Sequence, residues 1–300
     1  MRQILHSIRP HKVPIYLTTD TAVETVGATR DSLKMNRLIY GTVLAVLLTA
    51  LAWFQFAQNR SFAEVQNRVE GYFDKRPARE ILIIGNSRTY YHDMPGMLRA
   101  IAESAGSPFR IQTTLRAFGG ASFESLWNDS ETQGLLGETW DDAIFQGESR
   151  GQSSVDANAS FVTYGEKLLD ATKLRSGKPR LVINWAYDPN FYQNDTDGRA
   201  RTAHIAFIRS SHKTVAQHND ARLIDMSGLW EYVRATHPKI GLTEDGNHPT
   251  LAASYLFALF LYADLPASDL AKVGYMPEGL LAEDAQALLE AVKQYRMDYP

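Results

Sequence analysis

Five short, mostly apolar runs alternate with helical patterns from residue 79 to the end of the chain. The runs are 81–84, 110–116, 142–145, 180–186 and 222–225. A chain that returns to a strand after each helix builds a parallel sheet covered by helices. The first run, Ile81-Leu82-Ile83-Ile84, has no polar residue, as expected of a strand buried on both faces. We therefore predict one α/β domain over residues 79–300.

Helical patterns separate and follow these strands. They cover residues 93–105, 122–135, 156–173, 198–218, 227–235, 250–263 and 281–295. The segment 250–263 is strongly apolar, but its 14 residues are too few to span a bilayer, so we predict a buried helix there.

Residues 38–56 also restrict where the chain can be located, because these 19 consecutive residues carry no charge. As a helix they would extend about 28 Å, close to the thickness of the hydrocarbon core of a bilayer. Arg37 and Arg60 flank the segment, and Tyr40 and Trp53 lie near its ends, as aromatic residues do at membrane interfaces. We predict a transmembrane signal anchor. The alternative is a buried core helix, which usually carries a polar stripe.

The flanks of this segment predict its orientation. Six basic residues precede it, and only Arg60 follows it closely. The positive-inside rule then places residues 1–37 in the cytoplasm as a flexible tail. We predict a single-pass protein of a bacterial inner membrane, with a juxtamembrane amphipathic helix at 57–78 and the α/β domain in the periplasm. If translation starts at Met35, the apolar run ending in Ala50-Leu51-Ala52 resembles the cleaved signal peptide of a secreted protein.

Two counts restrict the chemistry. The chain contains no cysteine, which excludes disulfides, zinc–thiolate sites and a cysteine nucleophile. Its formal net charge is −3 and its basic residues form no run, so no nucleic-acid partner is predicted. No spacing such as His-Glu-x-x-His offers a metal site, and we predict no metal and no cofactor. The sequence gives no indication of a protein partner.

The first strand ends at a glycine, and a serine follows two residues later in Gly85-Asn86-Ser87. Such a turn presents the hydroxyl at the carboxyl edge of the sheet, where open α/β folds bind ligands. A serine needs a base to act as a nucleophile, and histidine suits that role at neutral pH. The stretch Asp245-Gly246-Asn247-His248 places an acid three residues before a histidine, so one loop offers base and orienting acid. Ser87, Asp245 and His248 are therefore candidate catalytic residues.

Each of these residues also has a simpler explanation. Ser87 can cap a turn or a helix, and His248 is one of eight histidines that can have a surface or capping role. The α/β-hydrolase motif Gly-x-Ser-x-Gly is a further alternative. Thr89 occupies the last position of that motif, however, and the class places its acid well upstream of the histidine.

Three blocks of this chain resemble the SGNH (GDSL-type) hydrolases over about residues 79–265. They are Gly85-Asn86-Ser87, a glycine after the second strand, and Asp245-x-x-His248 within the stretch Asp-Gly-Asn-His-Pro-Thr-Leu-Ala-Ala-Ser-Tyr-Leu. The resemblance implies a flavodoxin-like three-layer α/β/α sandwich with a central parallel sheet, here in a membrane-anchored bacterial member. It also implies that Ser87 is the nucleophile, His248 the base and Asp245 the acid that orients the base.

By the same resemblance, the oxyanion hole combines the backbone N–H groups of Ser87 and of Gly120, beside Gly119, with an asparagine side chain. The third block departs from the family at this point, because Gln146-Gly147-Glu148-Ser149 contains no asparagine. We predict that Gln146, directly after the strand, supplies the missing amide. Ser149 stands where the family has the asparagine and is a candidate substrate-binding residue.

The first block departs from the family as well. Asn86 stands where the family has an aspartate, and Arg88 replaces an aliphatic residue. Arg88 is a candidate contact for an anionic or sugar substrate. The alternative is a salt bridge.

The candidate triad of Ser87, His248 and Asp245, the predicted anchor and the SGNH resemblance together predict a serine esterase. It would hydrolyse acyl esters, O-acetyl esters above all, on an acylated small molecule or a cell-envelope glycan. The same triad would serve an acyltransferase to an envelope or exported polysaccharide, because only the acceptor of the acyl group differs. If nothing replaces the missing asparagine, a weakly active glycan-binding protein is a third alternative. Its candidate sugar-stacking residues are Trp127, Trp140, Trp185 and Tyr187.

Overall fold

The computed structural model describes residues 74–148, 155–192 and 199–299. Several predictions fall outside these ranges. They are the cytoplasmic tail at 1–37, the anchor at 38–56, most of the helix at 57–78, and the role of Ser149. Within the described ranges, no helix combines the length and the hydropathy that crossing a bilayer requires.

A parallel sheet forms the centre of the described domain. The strands in chain order are β1 (Ala78–Gly85), β2 (Arg110–Ala117), β3 (Thr139–Trp140), β4 (Asp142–Gln146), β5 (Lys173–Leu174), β6 (Arg180–Val182) and β7 (Arg222–Ile224). Five of them pair in parallel in the order β2-β1-β4-β6-β7, while β3 and β5 pair separately. This is the strand order of flavodoxin-like folds, so the predicted parallel sheet is confirmed.

The helices lie between and after these strands. They are α1 (Ser87–Tyr90), α2 (Met94–Ser104), α3 (Phe123–Trp127), α4 (Ser130–Leu136), α5 (Val155–Ala171), α6 (Arg199–His218), α7 (Met226–Thr236), α8 (Leu251–Asp264) and α9 (Ala282–Asp298). The single helix predicted at 122–135 is wrong, because two helices with separate caps cover it. Ser122 accepts the N–H of Ser125, and Asp129 accepts that of Thr132.

Alternate side chains of β1 enter two different cores. Ile81 and Ile83 pack with α2, α7, α8 and α9 on one face of the sheet. Leu82 and Ile84 pack with α3, α5 and α6 on the other face. All four side chains are fully buried, because a central parallel strand has helices on both sides. The predicted three-layer arrangement therefore holds for the described residues.

Helix α8 is buried from Ala252 to Asp264. It packs against α2 and α9, so it has no face toward solvent that would require polar side chains. The prediction that this apolar segment is a buried helix is confirmed.

Two boundaries differ from the prediction. Ala78 already pairs with Arg110, so β1 begins inside the range predicted as a juxtamembrane helix, and residues 74–77 are not helical. Strand β6 ends at Val182 rather than at residue 186, because its partners β4 and β7 end opposite that point. The following residues lie at the carboxyl edge of the sheet, where they contribute to the site described below.

A chain of ion pairs around the buried side chains of Asp142, Arg180 and Asp264 lies at the opposite, amino edge of the sheet. Asp142 accepts from Arg79 at 2.5 Å and also from Arg180. Asp264, at the end of α8, accepts from Arg180 and from Arg222, each at 2.6 Å. The first residues of β4, β6 and β7 are thereby tied to α8.

Candidate active site

The structure brings Ser87, His248 and Asp245 together at the carboxyl edge of β1. His248 Nε2 lies 2.9 Å from Ser87 Oγ, and His248 Nδ1 lies 2.7 Å from Asp245 Oδ2. Ser87 opens helix α1, and Asn86, whose side chain accepts the N–H of Arg88, caps that helix. The hydroxyl thus stands at the switch point between β1 and β4, where the chain changes direction across the sheet.

Backbone bonds close the loop that carries the acid and the base. Thr243 and Pro249 form a β-bridge, and the Glu244 N–H donates to the His248 carbonyl at 2.9 Å. Asp245 Oδ1 accepts the N–H groups of Asn247 and His248 at 2.9 and 2.8 Å. Burial acts to raise the pKa of Asp245, but these bonds and the His248 ring outweigh it and lower that pKa to about 2. Asp245 therefore keeps its charge at every pH at which an esterase is assayed.

A strained segment after α1 covers one face of the histidine. The Tyr91 ring stacks on the His248 ring at 4.5 Å with an interplanar angle of 7°. His92 and Asp93 follow with φ of 53° and 52°, a left-handed conformation that costs a non-glycine residue about 1–2 kcal/mol. The His92 ring lies 2.8 Å from the carboxylate of Glu244, next to Asp245. These contacts fix the plane of the base.

A pocket of about 350 Å³ opens at the nucleophile. Its lining residues are Asn86, Ser87, Arg88, Gly120, Glu148, Tyr187, Asn247 and His248. A larger cavity of about 630 Å³ lies beside β7, and neither a serine nor a histidine is among its described lining residues. The smaller pocket is therefore the one equipped for nucleophilic chemistry.

Two residues that line this pocket, Ser87 and Gly120, are the candidates for backbone donors to an oxyanion. Ser87 is the first residue of α1, so its N–H has no acceptor within the helix. Gly120, in the turn after β2, has a φ of +69°, which L-amino acids rarely adopt. Both residues line the pocket, and their role as oxyanion donors stays a prediction.

Gln146 does not line the pocket, and the prediction that it supplies the third donor is corrected. Its side chain is fully buried beneath the nucleophile turn. Oε1 accepts the Asn86 N–H at 3.1 Å, while Nε2 donates to Asn184 Oδ1 at 2.9 Å and to the Gly147 carbonyl. Asn86 and Asn184 also donate to that carbonyl. The amide of Gln146 thus holds the loops together and has no donor left for a substrate.

Arg88 lines the pocket, but the hydrogen bonds that the structure gives its guanidinium go to internal partners. Its role as a substrate contact stays a prediction. The residue is 2% exposed. Its Nε and one terminal nitrogen donate to Asn247 Oδ1 at 3.1 and 2.7 Å, and the other donates to the Trp185 carbonyl at 2.7 Å. The salt bridge considered as the alternative is not formed with any described carboxylate. Arg88 instead connects the residue after the nucleophile to the residue before the base.

Several residues that shape the site were not singled out in the sequence. Tyr91 covers His248, Asn247 accepts from Arg88, and Glu148 lines the pocket. Each lies within five residues of a predicted site residue, so proximity along the chain was the available signal. Of the predicted stacking residues, Trp140 and Trp185 are buried in the core, and only Tyr187 lines the pocket.

Glu148 brings a carboxyl group into the pocket. Its Oε2 accepts the Phe123 N–H at 3.0 Å, which joins the loop after β4 to the start of α3. Burial raises the pKa of Glu148 above its ordinary value, and this outweighs the lowering effect of the backbone N–H bonds. The charged form is therefore disfavoured in the folded protein.

We expect the Glu148→Gln variant to be more stable than the wild type at pH 8 and equally stable at pH 4. An acid whose pKa is raised by folding destabilises the protein as pH rises from its unfolded pKa through its folded pKa, and glutamine has no such charge. The amide oxygen can still accept the Phe123 N–H. Thermal unfolding at the two pH values measures the difference, and an equal gain at both would contradict it.

We expect Gly246→Ala to slow catalysis by about tenfold or more, because small displacements of catalytic groups are costly. Gly246 has a φ of +83°, and a Cβ there would lie 2.8 Å from the Phe191 ring. Relief of that clash moves the loop between Asp245 and His248. Gly241→Ala is the matched control, since a Cβ at Gly241 would meet nothing within 4 Å. Steady-state kinetics of both variants test this, and equal rates would contradict it.

Comparisons with known proteins agree with the fold. No protein-family model matches the sequence, and a search of curated proteins gives no significant match. Among solved structures, the chain is similar to a DUF4886 family protein from Bacteroides uniformis, with 19% identity and a TM-score of 0.57 over 75% of this chain and 96% of that one. This similarity shows a shared fold.

Two further solved structures align less closely. A proposed SGNH hydrolase from Slackia heliotrinireducens is 24% identical over 61% of this chain and 97% of its own, with a TM-score of 0.47. A variant of an acetyl xylan esterase from Geobacillus stearothermophilus is 15% identical over 68% of this chain and 99% of its own, with a TM-score of 0.48.

Proposed function

We propose that this protein is a serine esterase of the SGNH type that hydrolyses O-acyl esters, with O-acetyl groups on a cell-envelope glycan as substrate. The observation that carries the proposal is the line of hydrogen-bonding atoms from Ser87 Oγ through the His248 ring to Asp245, at the mouth of a pocket. This is the geometry by which a base activates an alcohol and an acid orients the base.

The reaction follows from these positions. His248 Nε2 takes the proton of Ser87 Oγ as that oxygen attacks the ester carbonyl, and Asp245 stabilises the imidazolium. The N–H groups of Ser87 and Gly120 donate to the carbonyl oxygen as it becomes negative. Collapse of the tetrahedral intermediate expels the sugar oxygen, which takes the proton from His248. Water then attacks the acyl-serine by the same route and releases the acid.

The size and rim of the pocket support a short acyl group on a sugar. A volume of about 350 Å³ lies at the lower end of ligand sites, which suits acetyl better than a long chain. Tyr187 lines the pocket and stacks on Phe191 at 4.8 Å, and the Phe191 side chain is exposed. The exposed ring of Phe191, next to the largely buried Tyr187, suits the apolar face of a sugar ring.

Two measurements on the full-length chain test this function. It should release nitrophenol from p-nitrophenyl acetate, and a fluorophosphonate probe should modify one serine, which peptide mass spectrometry should identify as Ser87. A folded protein that hydrolyses no ester and takes no probe at Ser87 would falsify the proposal. Analysis of the products from an acetylated glycan and an acceptor glycan distinguishes hydrolysis from transfer. Hydrolysis releases free acetate, whereas transfer places the acetyl group on the acceptor.

We further propose that residues 38–56 anchor this esterase in a bacterial inner membrane with the domain on the periplasmic side. The uncharged run and the basic residues before it support this placement. Because the chain has no cysteine, single cysteines at Ser7→Cys and Met297→Cys are unique labels. A membrane-impermeant maleimide should label only the second variant in spheroplasts. Labelling of the first alone would reverse the orientation.

A further inference from the structure

Two arginines are buried in the described part of the chain, and their surroundings differ sharply. Arg180 is paired with the carboxylates of Asp142 and Asp264. Arg88 is bonded only to neutral oxygens, the side-chain carbonyl of Asn247 and the backbone carbonyl of Trp185. No described carboxylate lies within ion-pair distance of it.

The surroundings of Arg88 keep its charge without cancelling it. Its guanidinium carbon lies 4.5 Å from the centre of the Trp185 ring and 5.3 Å from that of Tyr187, so two aromatic faces add cation–π attraction. Burial lowers the pKa of Arg88 to about 10, which still leaves the group charged at neutral pH. A buried charge that has no directly paired carboxylate is costly, and such costs are typical of functional sites.

The charge of Arg88 lies in the wall of the pocket where the proposed reaction develops a negative charge. Arg88 directly follows Ser87 and lines the same pocket as Gly120. The proposed oxyanion donors there are the backbone N–H groups of Ser87 and Gly120, while the amide of Gln146 is used internally. A positive charge in a wall that excludes water stabilises a negative charge in the pocket more strongly than it would in solution.

We propose that the unpaired positive charge of Arg88 stabilises the oxyanion of the transition state, in the role that a third hydrogen-bond donor would otherwise have. This inference rests on the proposed esterase function. Arg88 acts through its field and not by contact, and Asn247 holds it in place with a neutral oxygen.

The two acids near the pocket do not cancel this charge by pairing with it. Asp245 is bonded to His248 and to two backbone N–H groups. Glu148 accepts the Phe123 N–H at 3.0 Å, and its charged form is disfavoured by burial. Asp245 attracts Arg88 at longer range without forming an ion pair with it. Arg88 is therefore a positive charge in the pocket wall that has no carboxylate as a direct partner among the described residues.

Variants of Asn247 distinguish an effect of the Arg88 charge from an effect of the hydrogen bond that holds Arg88 in place. Asn247→Asp has nearly the same shape and still bonds to Arg88, but its carboxylate neutralises the guanidinium. Asn247→Ala removes the bond and leaves the charge. We expect Asn247→Asp to lower kcat by about tenfold or more with KM little changed, whereas Asn247→Ala loses less. The full-length variants are compared on p-nitrophenyl acetate at pH values where the rate has reached its plateau.

The outcomes separate the two proposals. A kcat of Asn247→Asp that equals or exceeds that of Asn247→Ala would overturn the proposed role of the charge. Arg88 would then only support the loop. A wild type with no probe on Ser87 overturns both this inference and the esterase function. If Asn247→Asp does not fold, the pair Arg88→Lys and Arg88→Gln decides, because only the first retains the charge. Equal kcat values for that pair would exclude the inference.

Discussion

We expect Ser87→Ala to lower ester hydrolysis by about 10⁴-fold or more, the scale seen when the nucleophile of a triad is removed. His248 Nε2 lies 2.9 Å from the Ser87 hydroxyl, and Ser87 is the only serine among the described lining residues of this pocket. Without that oxygen no acyl-enzyme can form. The rate is measured on the full-length chain with p-nitrophenyl acetate, and the fluorophosphonate adduct should disappear at the same time.

A second serine provides the control for this experiment. Ser227 is buried in α7, and its hydroxyl has no hydrogen-bond partner among the described residues. Ser227→Ala should therefore keep both activity and labelling. Hydrolysis by Ser87→Ala at the wild-type rate, with an unchanged melting temperature, would show that the catalysis comes from elsewhere in the chain.

The fold could be predicted because the sequence patterns that indicate its strands and helices are local. The run Ile81–Ile84 is typical of a strand with helices on both sides, and the spacing of the later runs leaves room for helical segments between the strands. The position of Ser87 at the carboxyl edge follows from the same argument. Caps were harder to predict, as at Asp129, because one side chain can start a new helix inside a continuous helical pattern.

The site was less predictable because residue type does not give the direction of a side chain. Gln146 has the amide that an oxyanion hole requires, yet its hydrogen bonds go to Asn86, Asn184 and the Gly147 carbonyl. Those partners come from the ends of neighbouring strands, so only the three-dimensional structure reveals them. Arg88 is similar, since its bond to Asn247 spans 159 positions along the chain.

The second large effect is expected at the amino edge of the sheet, remote from the chemistry. Asp264 has 4% of its side chain exposed and accepts from Arg180 Nε and Arg222, each at 2.6 Å, while its backbone carbonyl accepts from Arg180 at 3.1 Å. Burial opposes the charge of Arg180, but the carboxylates of Asp142 and Asp264 outweigh it and raise the pKa of Arg180. The arginine can remain buried only while both carboxylates are present.

We expect Asp264→Ala to reduce the free energy of unfolding by about 3–5 kcal/mol, because it leaves Arg180 buried with half of its compensation. For a domain of this size that corresponds to a fall of roughly 10 °C in melting temperature. Glu131→Ala is the matched control. It breaks the exposed pair with Arg116 at 2.9 Å, which should cost about 1 kcal/mol or less. Because this network lies at the opposite edge from Ser87, probe labelling below the melting temperature should persist in both variants. Equal destabilisation of the two would mean that the buried chain of ion pairs contributes no more than a surface pair.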